Sequence, residues 1–533
     1  RPHRARRRHA RCCLTDAAPH PVFPFAGMTD MHADFPTSDR MVKRVVVAGG
    51  GTAGWVTATA LVRHLGPLID ITLVESDAIG TIGVGESTVP TFRGFHQLMK
   101  IREDRFMAEA QATVKLGIEF KNWGQVGDRY IHPFGTIGLQ WSWMADFHHF
   151  WLHARAQGFG GELGEYCLEW VAGEANRMSL SSSVAPSYAY HIDAARYARF
   201  LRSLAEPAGV KRVEGKIRNV ELAPESGHIA ALVLESGTRI EGDLFIDCTG
   251  FRSLLLGEAL GVGFEDWGQW IRTDRAVAVQ STSDGPAQPY TSAIAHEAGW
   301  RWRIPLQHRD GNGFVFASDF MSDDEAHARL LAEIEGEPIV DPWLVRFKTG
   351  TRTRAWHKNC VGLGLAGGFI EPLESTSIHL MMAAVTRLIE DFPFHGFDDA
   401  LLDHFNRKSR LEFENIRDFI ILHYHVTQRD DSPFWDHCRT MEIPDSLKER
   451  LALWQENGRA YQLGHELFRV DSWSSVLLGQ GMHPRGYHHV AAMMPEPQLR
   501  EELARMRKDI AGVVAEMPSH REFLRRYCFA ELV

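Results

Sequence analysis

"VKRVVVAGGGTAGWVTATALVRHLG" (residues 42–66) holds, in order, a short apolar run, a cluster of glycines and a helical pattern. Residues 45–48 have the uninterrupted apolar character of a parallel strand buried on both faces. Gly49, Gly51 and Gly54 make GxGxxG, and apolar residues then recur at helical spacing over residues 55–65 until Gly66 ends the pattern. The glycines allow the tight turn and seat the helix against the sheet. They also let backbone N–H groups, those of Thr52 and Ala53 among them, approach a pyrophosphate. The next strand, "IDITLVES" (69–76), ends in Glu75, a carboxylate able to accept from a ribose hydroxyl. Strand, turn, helix and acid together predict an α/β, Rossmann-like box that binds a dinucleotide.

Which dinucleotide depends on two further stretches. "DLFIDCTGFRS" (243–253) is another apolar strand, ending in Asp247 and Gly250, of the sort that closes over a flavin in two-domain oxygenases. A second GxGxxG, formed by Gly362, Gly364 and Gly367 in "VGLGLAGG", would naively be a nicotinamide site. It lacks the βαβ unit and the distal acid, because "FIEPLEST" follows at once and Pro372 breaks any early helix. Gly364 and Gly367 therefore read as a loop against the isoalloxazine side of a single flavin. No NAD(P)H site is evident.

With 533 residues, 44% of them hydrophobic, the chain can bury two or three domains' worth of core. A net charge of −10 argues against nucleic acid or an anionic membrane as the main partner. No apolar run reaches the ~18 residues of a membrane span. Seven cysteines without a CxxC read as reduced thiols of a cytoplasmic protein. Residues 1–40, opening on the basic "RPHRARRRHARCC", read as a disordered extension, with Met28, Met31 and Met41 as alternative starts. Residues 41–395 read as the flavin box, with substrate-facing insertions at about 91–184 and 261–340. Helical patterning dominates residues 396–533, where Ser519 and Glu522 offer a capping box.

Other motifs sharpen the reading. In "GWRWRIP" (299–305) an extended chain puts Trp300, Trp302 and Ile304 on one face and Arg301 and Arg303 on the other. "GGGTAGW", "IGVGEST", "FKNW", "YHIDA", "FIDCTGFRS", "GWRWRIP", "GFIEPLEST" and "RDFIILHYHVTQRDDSPFW" occur in this order along the chain. With these motifs the chain resembles the flavin-dependent tryptophan halogenases from about Val42 nearly to its end. The Trp-x-Trp-x-Ile-Pro signature carries most weight, because general flavin monooxygenases lack it.

The resemblance implies a flavin box like that of the aromatic hydroxylases and a mostly helical pyramid for the substrate. It implies that FAD, supplied reduced, turns oxygen and a halide (bromide or chloride) into hypohalous acid, which crosses the protein to a lysine. Lys115, in "QATVKLGIEFKNW", matches that lysine. Val114, Leu116, Ile118 and Phe120 alternate as one buried strand face, so Lys115 is expected to point the other way with Gly117 and Glu119. Glu374 matches the family's second essential group, a carboxylate that orients the donor and takes the ring proton. Glu371 is left the plainer role of a helix-start carboxylate facing the macrodipole.

Thr376 and Ser377 match the halide-binding positions, although the tryptophan-specific members usually have glycine where Ser377 stands. His132 and Phe134, in "YIHPFG", match the residues that sandwich the indole. Trp300 and Trp302 become a tunnel wall that keeps the organic substrate from the flavin while a small oxidant passes. No metal is expected: His149 and His153, four apart, read as helix histidines. Partners implied are a separate NAD(P)H-dependent flavin reductase and a small indole-type substrate; a homodimer is admitted. A hydroxylase of the same fold, or a flavin-binding protein without turnover, are the competing readings. The family's lid of paired tyrosines and a glutamate has no clear counterpart, since residues 454–484 offer only Tyr461 and Glu466 in another arrangement. An indole without the free amino-acid group is the expected substrate.

Overall fold

The apolar run at residues 45–48 becomes the strand Arg44–Ala48, buried from Val45 onward. A computed structural model describes residues 41–79, 85–181, 184–283, 285–464 and 466–528, so the basic segment read as an extension lies outside the described residues. Arg44–Ala48 pairs in parallel with Leu244–Asp247 on one side and Asp70–Glu75 on the other, with Val45 opposite both Leu244 and Ile71. Cys360–Gly362 and Lys211–Glu214 extend this sheet, and the antiparallel pair Trp356–His357 closes one edge of its six strands. All the strand ends that carried the nucleotide reading therefore sit on one edge, where open α/β sheets bind their ligands.

Helix Thr52–Leu65 starts directly after Gly51. Gly49 has φ +110°, and a Cβ there would lie 2.2 Å from the Cys248 carbonyl oxygen. Gly51 has an ordinary φ of −72°, and a Cβ on it would meet nothing within 4 Å. The first glycine is needed for packing of the turn; the second keeps space open above it.

A seven-stranded sheet stands apart from the nucleotide sheet. It runs Trp343–Arg346, Arg275–Ser281, Asp310–Phe316, Gly299–Pro305, Tyr290–His296, Gly117–Lys121, Arg129–Pro133. "GWRWRIP" is its central strand and is extended as expected. Trp302 lies across Gly313, where a Cβ would come within 2.0 Å of the ring, so that position must stay small. A smaller sheet, Gly85–Ser87 with Ala189–Asp193 and Thr113–Lys115, packs against the strands Tyr290–His296, Gly299–Pro305 and Asp310–Phe316.

The single alternating strand expected through residues 114–120 is in fact two. Thr113–Lys115 pairs with Ala189–Asp193, the chain turns at Leu116, and Gly117–Lys121 enters the seven-stranded sheet. Val114 and Leu116 pack into one hydrophobic core, Ile118 and Phe120 into another. Period two survives the switch because both sides of the junction are dry. Lys115 is therefore not on a face shared with Glu119: it is fully buried, whereas Glu119 pairs with Arg129 and Lys121.

Beyond Phe394 every regular element among the described residues is helical, beginning with the 27-residue helix Asp399–His425. Phe419, His423 and Tyr424, in its last two turns, are buried against the sheets. The Ser519 and Glu522 capping box forms at the start of His520–Tyr527. Among the described residues no helix is long and apolar enough to cross a membrane. Residues Val42–Val533 group as one compact unit.

The two glycines give a paired prediction. Gly49→Ala should cost about 3 kcal/mol or more, because it adds both strain and a backbone clash. Gly51→Ala should leave the melting temperature nearly unchanged yet weaken FAD binding by about tenfold or more, since its methyl fills ligand space. Thermal melts and flavin titration of the two variants separate the effects.

Candidate active site

Lys115 ends the strand Thr113–Lys115, opposite Ala189. Its Nζ donates to Ser375 Oγ at 2.8 Å and to the Thr88 carbonyl at 3.2 Å. The ring centroid of Phe134 is 4.9 Å from the same nitrogen. Burial pulls the amine down to about 7, against the opposing charge of Glu374. Ser375 follows the 3-10 turn Pro372–Glu374 in the left-handed region, φ +61°, and precedes helix Ser377–Glu390. That conformation costs on the order of 1–3 kcal/mol for a serine. It aims Oγ at the amine.

Glu374, one residue earlier, is also fully buried. His132 Nδ1 lies 2.9 Å from Oε2, and His423 Nε2 lies 2.9 Å from Oε1. Burial by itself would raise this carboxyl, but the two imidazoles overcome it and hold the group at about 2. His423 is fixed in turn by donation from its Nδ1 to Phe419 O at 2.7 Å. Lys115, Phe134, His132 and Glu374 are thus brought together from two strand ends and a loop. His132 does more than present a flat ring, since it also holds Glu374.

The turn after Glu374 has the features of an anion site. The first hydrogen bond within the helix runs from Leu380 N–H to Thr376 O, which leaves the preceding N–H groups for another acceptor. Thr376 Oγ1 is buried without a partner. Ser377 is half-buried at the first helical position. A halide suits that donor set.

Trp300 and Trp302 are both buried, with ring centroids 6.0 Å apart at 56°. Trp123 backs Trp300 at 6.4 Å. On the opposite face Arg303 pairs with Asp310 at 2.8 Å. Glu371 departs from its expected role. It is not a solvated helix-start acid but a fully buried one that accepts from Trp300 Nε1 at 3.1 Å, from Tyr424 OH at 2.6 Å and from the Thr273 hydroxyl. Burial pushes its carboxyl up to about 7, and the three donors oppose the shift.

At the nucleotide end the residues fit a flavin dinucleotide. Glu75 lies against Gly50, where a Cβ would sit 1.5 Å from its Oε2. Arg212 and Trp55 steady the Glu75 carboxylate. Gly250, φ +76°, faces open space as Gly51 does. Gly364 abuts Ala53 of the first glycine turn, with a Cβ placed 2.9 Å from the alanine methyl, and Gly367 closes on the Gly362 carbonyl. The second glycine motif leads into the single turn Gly364–Ala366 rather than a long helix. Asp247 differs from the expectation of direct contact. It is fully buried, and its oxygens are taken by Thr249, Ser253 and the N–H groups of Leu255 and Leu256. It shapes the Gly250 loop from beneath.

The histidines of "HHFWLHARAQGF" have protein partners. His149 Nδ1 accepts from His488 N–H at 3.2 Å, and His153 Nδ1 meets Tyr487 OH at 2.8 Å. No metal-ligating cluster occurs among the described residues. A cavity of about 130 Å³ lies beside Phe468 and Trp473. Phe468 stacks on Phe419 at 3.7 Å and stands 6.1 Å from His132. Arg450, with Tyr461 and Trp473 against its guanidinium, pairs with Glu466 across this cavity.

Known proteins share the sequence pattern and the fold. The tryptophan halogenase family profile matches residues 44–496. The chain is 35% identical to the 7-chloro-L-tryptophan 6-halogenase KtzR of Kutzneria sp. (strain 744), over 90% of this chain and 99% of the relative. Xcc4156, a flavin-dependent halogenase from Xanthomonas campestris, superposes with a TM-score of 0.91 at 50% identity, covering 92% and 99% of the two chains. BrvH, a flavin-dependent halogenase from Brevundimonas sp. BAL3, gives 0.88 at 43%, covering 92% and 100%. The protein belongs to the tryptophan halogenase family. Its fold is accordingly the FAD-binding Rossmann-type box with a helical substrate region, and it is a flavin-dependent halogenase using FAD and halide.

Sequence reasoning missed four groups of this halogenase site: His423, Ser375, the Thr88 carbonyl, and Glu371 as a hub. Ser375 and Glu371 stood in "EPLEST", and Thr88 closed "IGVGEST". His423 stood in "RDFIILHYHVTQRDDSPFW", but nothing in a helical run shows which of its residues faces a distant carboxylate.

Two predictions follow from the electrostatics. Lys115→Met should abolish halogenation, by about 10³-fold or more, and should also raise the melting temperature. The folded amine lies below its unfolded value of 10.5, near 7. Its cost is therefore full below pH 7 and fades as pH rises towards the unfolded value. The gain in melting temperature should be largest in acid and shrink above neutrality. His423→Leu removes one of the two imidazoles that hold Glu374 down. The acid limb of the kcat/KM profile should then move to higher pH, with turnover lower by about 10–100-fold.

Proposed function

We propose that this halogenase modifies an indole-type ring that does not carry the free amino-acid group. The fully buried Lys115 amine, bonded to the serine that follows Glu374 and facing Phe134, supports the halogenation chemistry, and the substrate reading is carried by Arg450, already engaged by Glu466 and the Tyr461 carbonyl. Reduced FAD, which Gly49, Gly51 and the N–H groups of Thr52 and Ala53 would hold, would supply the hypohalous acid from oxygen and halide. Everything after that falls to the side chains.

Near neutral pH the Lys115 amine is present in both forms. Its ammonium form donates to the oxygen of hypohalous acid and polarises the halogen towards the ring. The ring gains the halogen and later loses a proton, while the oxygen leaves as water with the lysine proton. A carboxylate near 2 is a weak base, but the cationic ring intermediate is a strong acid, so Glu374 suffices to take that proton. His132 and His423 keep the carboxylate ionised and oriented. Phe134 and His132 border the ring position, and Trp300 and Trp302 keep the ring from the flavin.

The cavity beyond Phe468 argues against a zwitterion. Asp418, Glu449 and Glu466 line it with Arg450 as the cation. The Arg450 guanidinium is already spent on Glu466 and the Tyr461 carbonyl. An α-carboxylate entering there finds no free cation, and burying it unpaired costs several kcal/mol. Bromide is the proposed halide, because it is more easily oxidised than chloride and Ser377 replaces the glycine usual at that position. Reduced FAD comes from a separate NAD(P)H-dependent reductase, and the proposed location is the cytoplasm; the free thiols of Cys167, Cys248, Cys360, Cys438 and Cys528 support it.

The test supplies chemically reduced FAD, oxygen and bromide, with indole or L-tryptophan as acceptor. Bromoindole should form with kcat/KM at least about tenfold above that for tryptophan. A clear preference for tryptophan would overturn the substrate reading, and hydroxyindole would overturn the chemistry. NADH with oxidised FAD and pure protein should give no turnover.

A further inference from the structure

Glu371 is buried completely, yet among the described residues no cation meets it: its partners there are the neutral donors Trp300 Nε1, Tyr424 OH and the Thr273 hydroxyl. A carboxylate so placed costs several kcal/mol to bury, and an apolar residue of equal volume would satisfy the core at less cost. What it accomplishes is connection. Trp300 belongs to the "GWRWRIP" strand, Thr273 precedes the strand Arg275–Ser281, and Tyr424 ends the long helix. Glu371 itself starts the loop that carries Glu374, Ser375 and Thr376.

The helix grips that loop twice. Tyr424 holds Glu371, and its neighbour His423 faces Glu374, three residues further on. Ser375 in turn receives the Lys115 ammonium. Polar contacts at Glu371, Glu374 and Ser375, joined through the adjacent residues Tyr424 and His423 of the helix and Glu374 and Ser375 of the loop, thus link the indole N–H of Trp300 to the lysine. We propose that Glu371 is a positioning residue that holds the Trp300 ring in register with the Glu374 loop, so that oxidant made on the flavin side reaches Lys115 instead of escaping. The inference rests on the halogenase reading above and adds to it the residue that keeps wall and acceptor aligned.

The hydrogen-bond inventory selects the variants. Trp300 and Tyr424 both donate to Oε1, and Thr273 to Oε2. In Glu371→Gln one carbonyl oxygen still accepts from Trp300 and Tyr424, and the amide donates to a reoriented Thr273 hydroxyl. Glu371→Leu leaves all three donors buried without acceptors. The readout is the ratio of halogenated indole formed to reduced FAD oxidised, with monochlorodimedone in the bulk to trap escaped hypohalous acid. Flavin affinity and a thermal melt run in parallel.

Wild type and Glu371→Gln should agree within about threefold in coupling. Glu371→Leu should lose about fivefold or more, with the missing oxidant appearing on the scavenger. Should the leucine variant not fold, Trp300→Phe removes the one donor and keeps a ring, and it should show a partial leak. Full coupling in Glu371→Leu or in Trp300→Phe would overturn the proposal. So would Glu371→Gln leaking as badly as leucine, since the charge and not the register would then be at work. No halogenated product from wild type would sink the functional reading itself, an outcome distinct from all of these.

Discussion

A primary amine with no access to water is the constraint around which this site is built. Taking Lys115 out of solvent is unfavourable by several kcal/mol for its charged form, and the fold accepts that cost by surrounding the amine with a serine hydroxyl, a backbone carbonyl and an aromatic face. The same desolvation draws the amine down to about 7, where it is neither a permanent cation nor a permanent base. A solvated lysine on the same strand would have no such range.

Glu374 shows the opposite solution to the same dryness. Two imidazoles bring it well below an ordinary carboxylate, although burial alone pushes the other way. Glu371, three residues earlier and as deeply buried, has only neutral donors and rises to about 7. The neighbours, not the burial, set the two acids apart. The strained Ser375 directly after Glu374 shows that the loop geometry serves the site, since a left-handed serine is unfavourable for the backbone and useful only for where it sends its hydroxyl.

The two halves of the molecule meet this site differently. The parallel sheet supplies a glycine turn whose open positions, Gly51 and Gly250, mark ligand space. The seven-stranded sheet and the helical segments after it supply aromatic mass: Trp123, Trp300, Trp302, Tyr424 and Trp435 form one chain of ring contacts. Rings of that size leave little room to slide, so a barrier made from them is stiff.

The sequence by itself determined the nucleotide box, because its signals are local: an apolar run, glycines at fixed spacing and an acid at the end of the next strand are read within one βαβ unit. It also determined the extended "GWRWRIP" strand and the helical C-terminal segment, where periodicity reports the element directly. The family motifs brought Lys115, Glu374, His132, Phe134, Thr376 and Ser377 forward as candidates. Only the tertiary structure decided how they act on one another. It split the strand at Leu116, since a period-two pattern continues unbroken when the chain passes from one dry sheet to another. It moved Asp247 beneath its loop and gave Glu371 its three donors. It brought His423 onto Glu374 across 49 residues. Those contacts join segments far apart in the chain, and their energies depend on burial and on the partner's charge, neither of which is written in the spacing of residues.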